Sequence, residues 1–103
     1  MISILRSRQF ARWLNGLRDR RAIAQITIRI DRLADGHAGD ARPVGEGVSE
    51  LRINHGPGYR IYYVRHGEVT IVLLAGGDKS SQARDIAAAK TLAREWKERN
   101  HET

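Results

Sequence analysis

The chain has no cysteine, two prolines and one methionine among its 103 residues, and only 6% of it is aromatic. Without cysteine there is no disulfide framework, no thiolate metal site and no thiol nucleophile. No stretch approaches the run of about 20 apolar residues that a membrane-spanning helix needs. The segment Met1-Ile2-Ser3-Ile4-Leu5-Arg6 lacks the basic start, apolar stretch and small-residue cleavage site of a signal peptide, so a cytoplasmic location with no membrane partner is expected. Internal repeats and low-complexity segments are missing. A chain of this length has room for one domain, spanning 1–103, with one modest core and no internal cofactor cavity.

Several kinds of site are also missing. His37, His55, His66 and His101 fall in loops or the tail, no two of them at metal-ligand spacing, so neither a metal nor another cofactor is expected. Gly36, Gly39, Gly45 and Gly47 form no phosphate-loop or dinucleotide pattern and read as a flexible loop. No Ser/His/Asp set stands out from chance scatter.

What is present is positive charge. Eighteen Lys and Arg face twelve Asp and Glu, leaving +6, and most of the cations are arginine. The planar fork of Arg suits bidentate contact with phosphate or carboxylate. A basic balance fits a solubilising surface, a nucleic-acid partner or an acidic protein partner, and charge alone does not separate them.

Periodicity places the elements. Ile2 and Ile4 alternate with Ser3 and Leu5 in a short first strand. Ser7 can cap a helix on which Phe10, Trp13, Leu14 and Leu17 make one apolar stripe, which reads as core. Asp19 can cap a second helix carrying Ile23, Ile26, Ile30 and Leu33, with Arg21, Gln25, Arg29 and Arg32 on another face and Gly36 as a stop. From Gly36 to Gly47 glycines and Pro43 read as a loop. Three strands follow: one around Leu51 and Ile53, one over Tyr59–Val64, and an apolar one over Val69–Ala75 that Gly76-Gly77-Asp78-Lys79 breaks. Ser80 or Ser81 opens a last helix bearing Ile86, Ala89, Ala93 and Trp96, and the charged segment from Lys97 to Thr103 is expected to fray. The order β-α-α-β-β-β-α predicts an α+β fold. Its sheet is four-stranded and mainly antiparallel, with an N-terminal helical hairpin on one face and a C-terminal helix.

Strand alternation sorts the side chains. If Leu51, Ile53, Ile61 and Tyr63 face the helices, Glu50, Arg52, Arg60 and Tyr62 face the other way, on an open sheet face that Lys79 can overhang. Such a face suits a nucleic-acid backbone and a stacked base. It equally suits exposed strand residues joined by cross-strand ion pairs such as Glu50 to Arg60 or Arg52.

The runs Glu50-Leu51-Arg52-Ile53, Gly56-Pro57-Gly58-Tyr59-Arg60-Ile61-Tyr62-Tyr63 and Leu73-Leu74-Ala75-Gly76-Gly77-Asp78-Lys79-Ser80 resemble the HigB-like "addiction module killer protein" branch of the RelE/ParE toxin superfamily. Trp13-Leu14, Leu17-Arg18-Asp19 and Arg84-Asp85-Ile86-Ala87 fit it too. The resemblance covers nearly the whole chain and implies the toxin of a type II toxin–antitoxin system. RelE-like members are ribosome-dependent endoribonucleases that cut mRNA, whereas ParE-like members share the fold and bind DNA gyrase without cutting RNA. The branch favours the ribonuclease, with a small, usually helix-turn-helix, antitoxin as partner.

The reaction so implied needs no metal: the ribose 2′-hydroxyl attacks the adjacent phosphorus and the 5′-oxygen leaves. The resemblance assigns the scissile phosphate to Arg60 and sets Lys79 and Arg52 near positions where relatives place further cations. Relatives often carry a Tyr or His in the last segment for stacking or proton transfer, and the region from Ser80 to Arg84 has neither. Glu50, His55 and Tyr62 are substitutes of the right chemical type, none at a firm motif position. His55 reads either as a general base or as an incidental turn histidine.

Overall fold

The computed structural model describes residues 2–100, so His101 and the end of the expected tail lie outside the described residues. The order is β1 (Ser3–Arg6), α1 (Arg8–Gly16), α2 (Arg20–Ala34), β2 (Ala41–Gly45), β3 (Val48–Ile53), β4 (Tyr59–His66), β5 (Thr70–Gly77), a 3₁₀ turn (Lys79–Ser81) and α3 (Gln82–Arg99). Both expected helix starts are realised by side-chain caps. Ser7 Oγ accepts from the Phe10 amide at 2.9 Å, and Asp19 accepts from the amides of Arg21 and Ala22. Each satisfies amide groups that the first helical turn leaves without partners. Gly36 follows α2 at φ 90°, a left-handed conformation that suits a glycine ending a helix.

The sheet has five strands in the order β1-β5-β4-β3-β2, not the expected four. β1 lies parallel to β5, and the other pairs are antiparallel. The additional strand is β2, within the stretch expected to be loop. Pro43 cannot donate to a ladder, but β2 is an edge strand and tolerates it. Glu46 and Gly47 both have positive φ, 55° and 80°, as a tight hairpin turn between β2 and β3 requires. β5 also runs further than expected, because Gly76 and Gly77 belong to it. A Cβ on Gly76 would overlap the Trp13 ring, and one on Gly77 would overlap the Asp85 carboxylate. The two glycines are seats for side chains from α1 and α3, and the chain turns only at Asp78.

The sheet is covered on both sides. One core joins Phe10, Ile26, Ile30 and Leu33 to Leu51, Ile53, Ile61, Tyr63, Ile71 and Leu73, so the four strand residues expected to meet the helices do so. The helical hairpin is matched only in part: α1 packs on β5 and α2 on β3, each held chiefly by the sheet. The opposite face is not open. α3 lies across it, packing Ala89 and Ala93 on Tyr62, Val64, Val72, Leu74 and Ala75. Between β4 and β5 the register slips, Tyr62 facing Ala75 but Tyr63 facing Leu73. Leu74 is the extra residue of this bulge, which turns both Leu74 and Ala75 toward α3. α3 continues regularly to Arg99, through the first part of the segment expected to fray.

Candidate functional site

Beyond the N-terminal end of α3 the sheet face emerges from cover, and there the strand cations collect. Arg52 on β3 and Arg60 on β4 are direct cross-strand partners, an arrangement that repels unless a counter-charge intervenes. Glu50 supplies it. Its carboxylate is fully buried, with Arg52 Nε at 3.3 Å and Arg60 Nε at 3.7 Å. It also accepts hydrogen bonds from the Tyr62 hydroxyl at 3.0 Å and from Gln82 Nε2 at 2.7 Å. Burial presses Glu50 toward its neutral form. The hydrogen bonds from Gln82, Tyr62 and Arg52 and the charge of Arg60 outweigh that, so its pKa lies below the ordinary value. Burial, with the charge and hydrogen bond of Glu50, drives the Tyr62 phenol far above its ordinary pKa. Tyr62 therefore stays a protonated donor to Glu50.

The outward side of this network is a cleft of about 360 Å³ lined by Arg52, Arg60 and Lys79, the loop Asn54, Gly56, Pro57 and Gly58, and Asp40. The β3–β4 loop packs directly on the cations: Gly58 accepts a hydrogen bond from Arg60 Nη1 at 3.4 Å, and the Lys79 amide donates to the Pro57 carbonyl at 3.4 Å. Lys79 is presented by the 3₁₀ turn. Asp78 caps that turn by accepting from the Ser80 amide at 2.9 Å. The Ser80 side-chain hydrogen bond is the main cause holding the Asp78 pKa below its ordinary value.

The structure thus brings together Arg52, Arg60 and Lys79 around a concavity, with Glu50 directly behind it. Two expected residues stand elsewhere. Tyr62 is wholly buried under α3, a correction to the open face on which it was expected to meet a base. His55 is turned away from the cleft, its Nε2 3.1 Å from the Asp19 carboxylate at the start of α2. Glu50, expected beside its arginines on an open face, is inaccessible to a ligand and acts as their anchor.

Three contributors escaped the sequence reading. Gln82 opens α3 and reaches back to Glu50, a contact visible only once α3 lies on the sheet. Asp40 lines the cleft from the loop before β2, its carbonyl accepting from the Arg52 amide at 2.9 Å. Arg29 on α2, read as part of a polar helix face, donates to the Arg52 carbonyl and to those of Ala38 at 3.0 Å and Asp40 at 3.3 Å. It thereby ties this loop to β3. Among the described residues no group of three His, Asp or Glu side chains is placed to hold a metal ion, and no helix is long and apolar enough to cross a membrane.

Residues 12–97 match the family model described as "Phage derived protein Gp49-like (DUF891)". The chain is also similar to a protein of Haemophilus influenzae described only as uncharacterized. The two are 47% identical over 94 residues, covering 91% of this chain and 95% of that protein.

Proposed function

Because this chain belongs to the Gp49-like phage-derived family, part of the RelE/HigB toxin-like superfamily, we propose that it is the toxin of a type II toxin–antitoxin pair, in the HigB-like branch, and cuts mRNA on the ribosome without a metal. The Gp49-like family is associated with toxin–antitoxin toxins, and an antitoxin partner follows from that association. The ribonuclease reading is carried by one observation: Arg52, Arg60 and Lys79 converge on a single cleft that Asp40 also lines. Three cations around one concavity suit a phosphate whose negative charge grows as the 2′-oxygen attacks. Donors placed in advance at such a charge are each worth about 10²–10³ in rate.

In this reading Arg60 grips the scissile phosphate, with Glu50 behind it fixing the guanidinium, and Arg52 and Lys79 flank it. Asp40, the one acidic residue lining the cleft among the described residues, is the group that can accept the 2′-proton. His55, paired with Asp19, serves the β3–β4 loop. The 5′-oxygen leaves with a proton from water or from a group of the ribosome, giving a cyclic phosphate and a 5′-hydroxyl end.

The test is to induce the protein, pulse-label protein and DNA synthesis, and map RNA 5′ ends. The expected result is a prompt halt of translation, with new 5′-hydroxyl ends inside translated regions. Loss of DNA synthesis with translation intact would replace this reading with inhibition of DNA gyrase. Normal growth at high soluble expression would remove toxicity altogether.

A further inference from the structure

A second concavity, a groove of about 910 Å³, shares no residue with the cleft. It forms where β1 extends the sheet beside α3. Ile4 packs into the core under α1 and α2. Leu5, one residue on, points to the opposite face by strand alternation and is left 45% exposed. Trp96 from the far end of α3 forms the opposing apolar wall. Around this floor stand Arg6, Arg8, Arg12 and Arg99, against one carboxylate, Glu95. All four arginines are exposed, and among the described residues none of them is in an ion pair. The first turn of α1, which borders the groove, carries no acidic residue, so its helix dipole adds to the positive potential.

Resting on the toxin–antitoxin reading, we propose that this groove is where the antitoxin docks, through an acidic amphipathic segment whose apolar side covers Leu5 and Trp96 and whose carboxylates meet the arginine rim. The chemistry favours a peptide over RNA. A phosphate backbone would use the rim but leave the exposed leucine unmatched. Trp96 is also a poor base-stacking platform, because its ring is already engaged edge-on by His66 at 4.7 Å. An apolar centre within a charged rim is the layout of a protein interface. The groove lies apart from the cleft, so this partner restrains the toxin without any of the groove residues belonging to the cleft.

The probe is the protein encoded by the gene adjacent to this one, purified and titrated against the wild-type toxin, Leu5→Glu, the double variant Arg8→Glu/Arg12→Glu, and the cleft variant Lys79→Ala. A thermal melt establishes folding for each. At least tenfold weaker binding is expected for both groove variants, with unchanged binding for Lys79→Ala. The groove variants should also remain toxic when the partner is co-expressed. If they are folded and bind within twofold of wild type, the groove assignment is overturned while the toxin–antitoxin pairing stands. If they instead lose binding to a polyuridine oligonucleotide and keep the protein partner, the groove is a nucleic-acid site and the proposal fails. A wild-type toxin that the neighbouring protein neither binds nor silences overturns the pairing itself, and the groove proposal with it.

Discussion

Glu50 Oε2 lies 3.7 Å from Arg60 Nε, with the carboxylate excluded from solvent and the guanidinium forming part of an open cleft. Arg60 Nε is itself buried and has no hydrogen-bond partner, so charge rather than a directed hydrogen bond holds that atom. Arg52 meets the same carboxylate from the neighbouring strand. One buried anion therefore compensates two cations that face each other across the β3–β4 ladder.

Removing that anion should be costly. Glu50→Ala leaves two arginines in repulsion and strips the Tyr62 hydroxyl and the Gln82 amide of their acceptor. Breaking a buried ion pair from one side costs about 3–5 kcal/mol. Glu50→Gln preserves size and one acceptor oxygen and should cost less. Urea unfolding of the three proteins checks the order, and a Glu50→Ala protein as stable as wild type would show that the network contributes nothing to folding.

The same carboxylate predicts a pH dependence. Its folded-state pKa is lowered from 4.5, so its contribution to stability is present above that value and is lost as pH falls through the depressed folded pKa. Asp19 and Asp78 are lowered as well, so acid should destabilise the protein through all three. Comparison with Glu50→Gln isolates one of them. The stability gap between wild type and this variant should be constant near neutrality and should narrow below about pH 4.5, the ordinary range of a glutamate. A gap that does not change in acid would mean that Glu50 titrates normally.

Local rules made the helices and the inner strands legible in the sequence. Ser7 and Asp19 cap the helices they were expected to cap, and Leu51, Ile53, Ile61 and Tyr63 form the expected face of the core. The edge strand β2 was hidden because Pro43 and its flanking glycines carry turn chemistry, and only pairing with β3 makes the segment a strand. The site was legible as far as alternation reached: it placed Glu50, Arg52 and Arg60 on one face but could not tell that α3 covers half of it. That single tertiary contact turns Glu50 and Tyr62 from surface groups into buried ones. The contribution of Gln82 and the separation of His55 from the cleft are likewise products of packing across the chain.

The glycine pair at the end of β5 offers a further test of packing. Gly76→Ala forces a methyl group into the Trp13 ring and Gly77→Ala forces one into the Asp85 carboxylate. Each should destabilise by about 1–3 kcal/mol, the usual cost of overpacking. At Gly16, the last residue of α1, an added methyl group would meet nothing within 4 Å, and Gly16→Ala should be neutral or stabilising by up to about 1 kcal/mol. Thermal melts of the three variants give the contrast directly.

The cleft cations require a test that separates chemistry from folding, and they are not equivalent in this respect. Arg60→Ala removes phosphate binding but also unbalances the buried Glu50, so lost toxicity would have two explanations. Lys79 is exposed, and among the described residues it is in no ion pair. Lys79→Ala should leave stability within about 0.5 kcal/mol of wild type. If Lys79 stabilises charge at the phosphate, the same change should reduce RNA cleavage by about 10²–10³. Arg52→Ala should lower activity at a moderate cost in stability, since it gives up its contact with Glu50. His55→Ala should keep its activity, because the imidazole faces Asp19 outside the cleft. Trp13→Ala should lose activity through unfolding, at about 3–5 kcal/mol. Toxicity measured beside thermal melting for each variant distinguishes these outcomes. A folded Lys79→Ala protein with undiminished toxicity, together with an inactive but folded His55→Ala protein, would move the reacting phosphate from this cleft to the surface between His55 and α2.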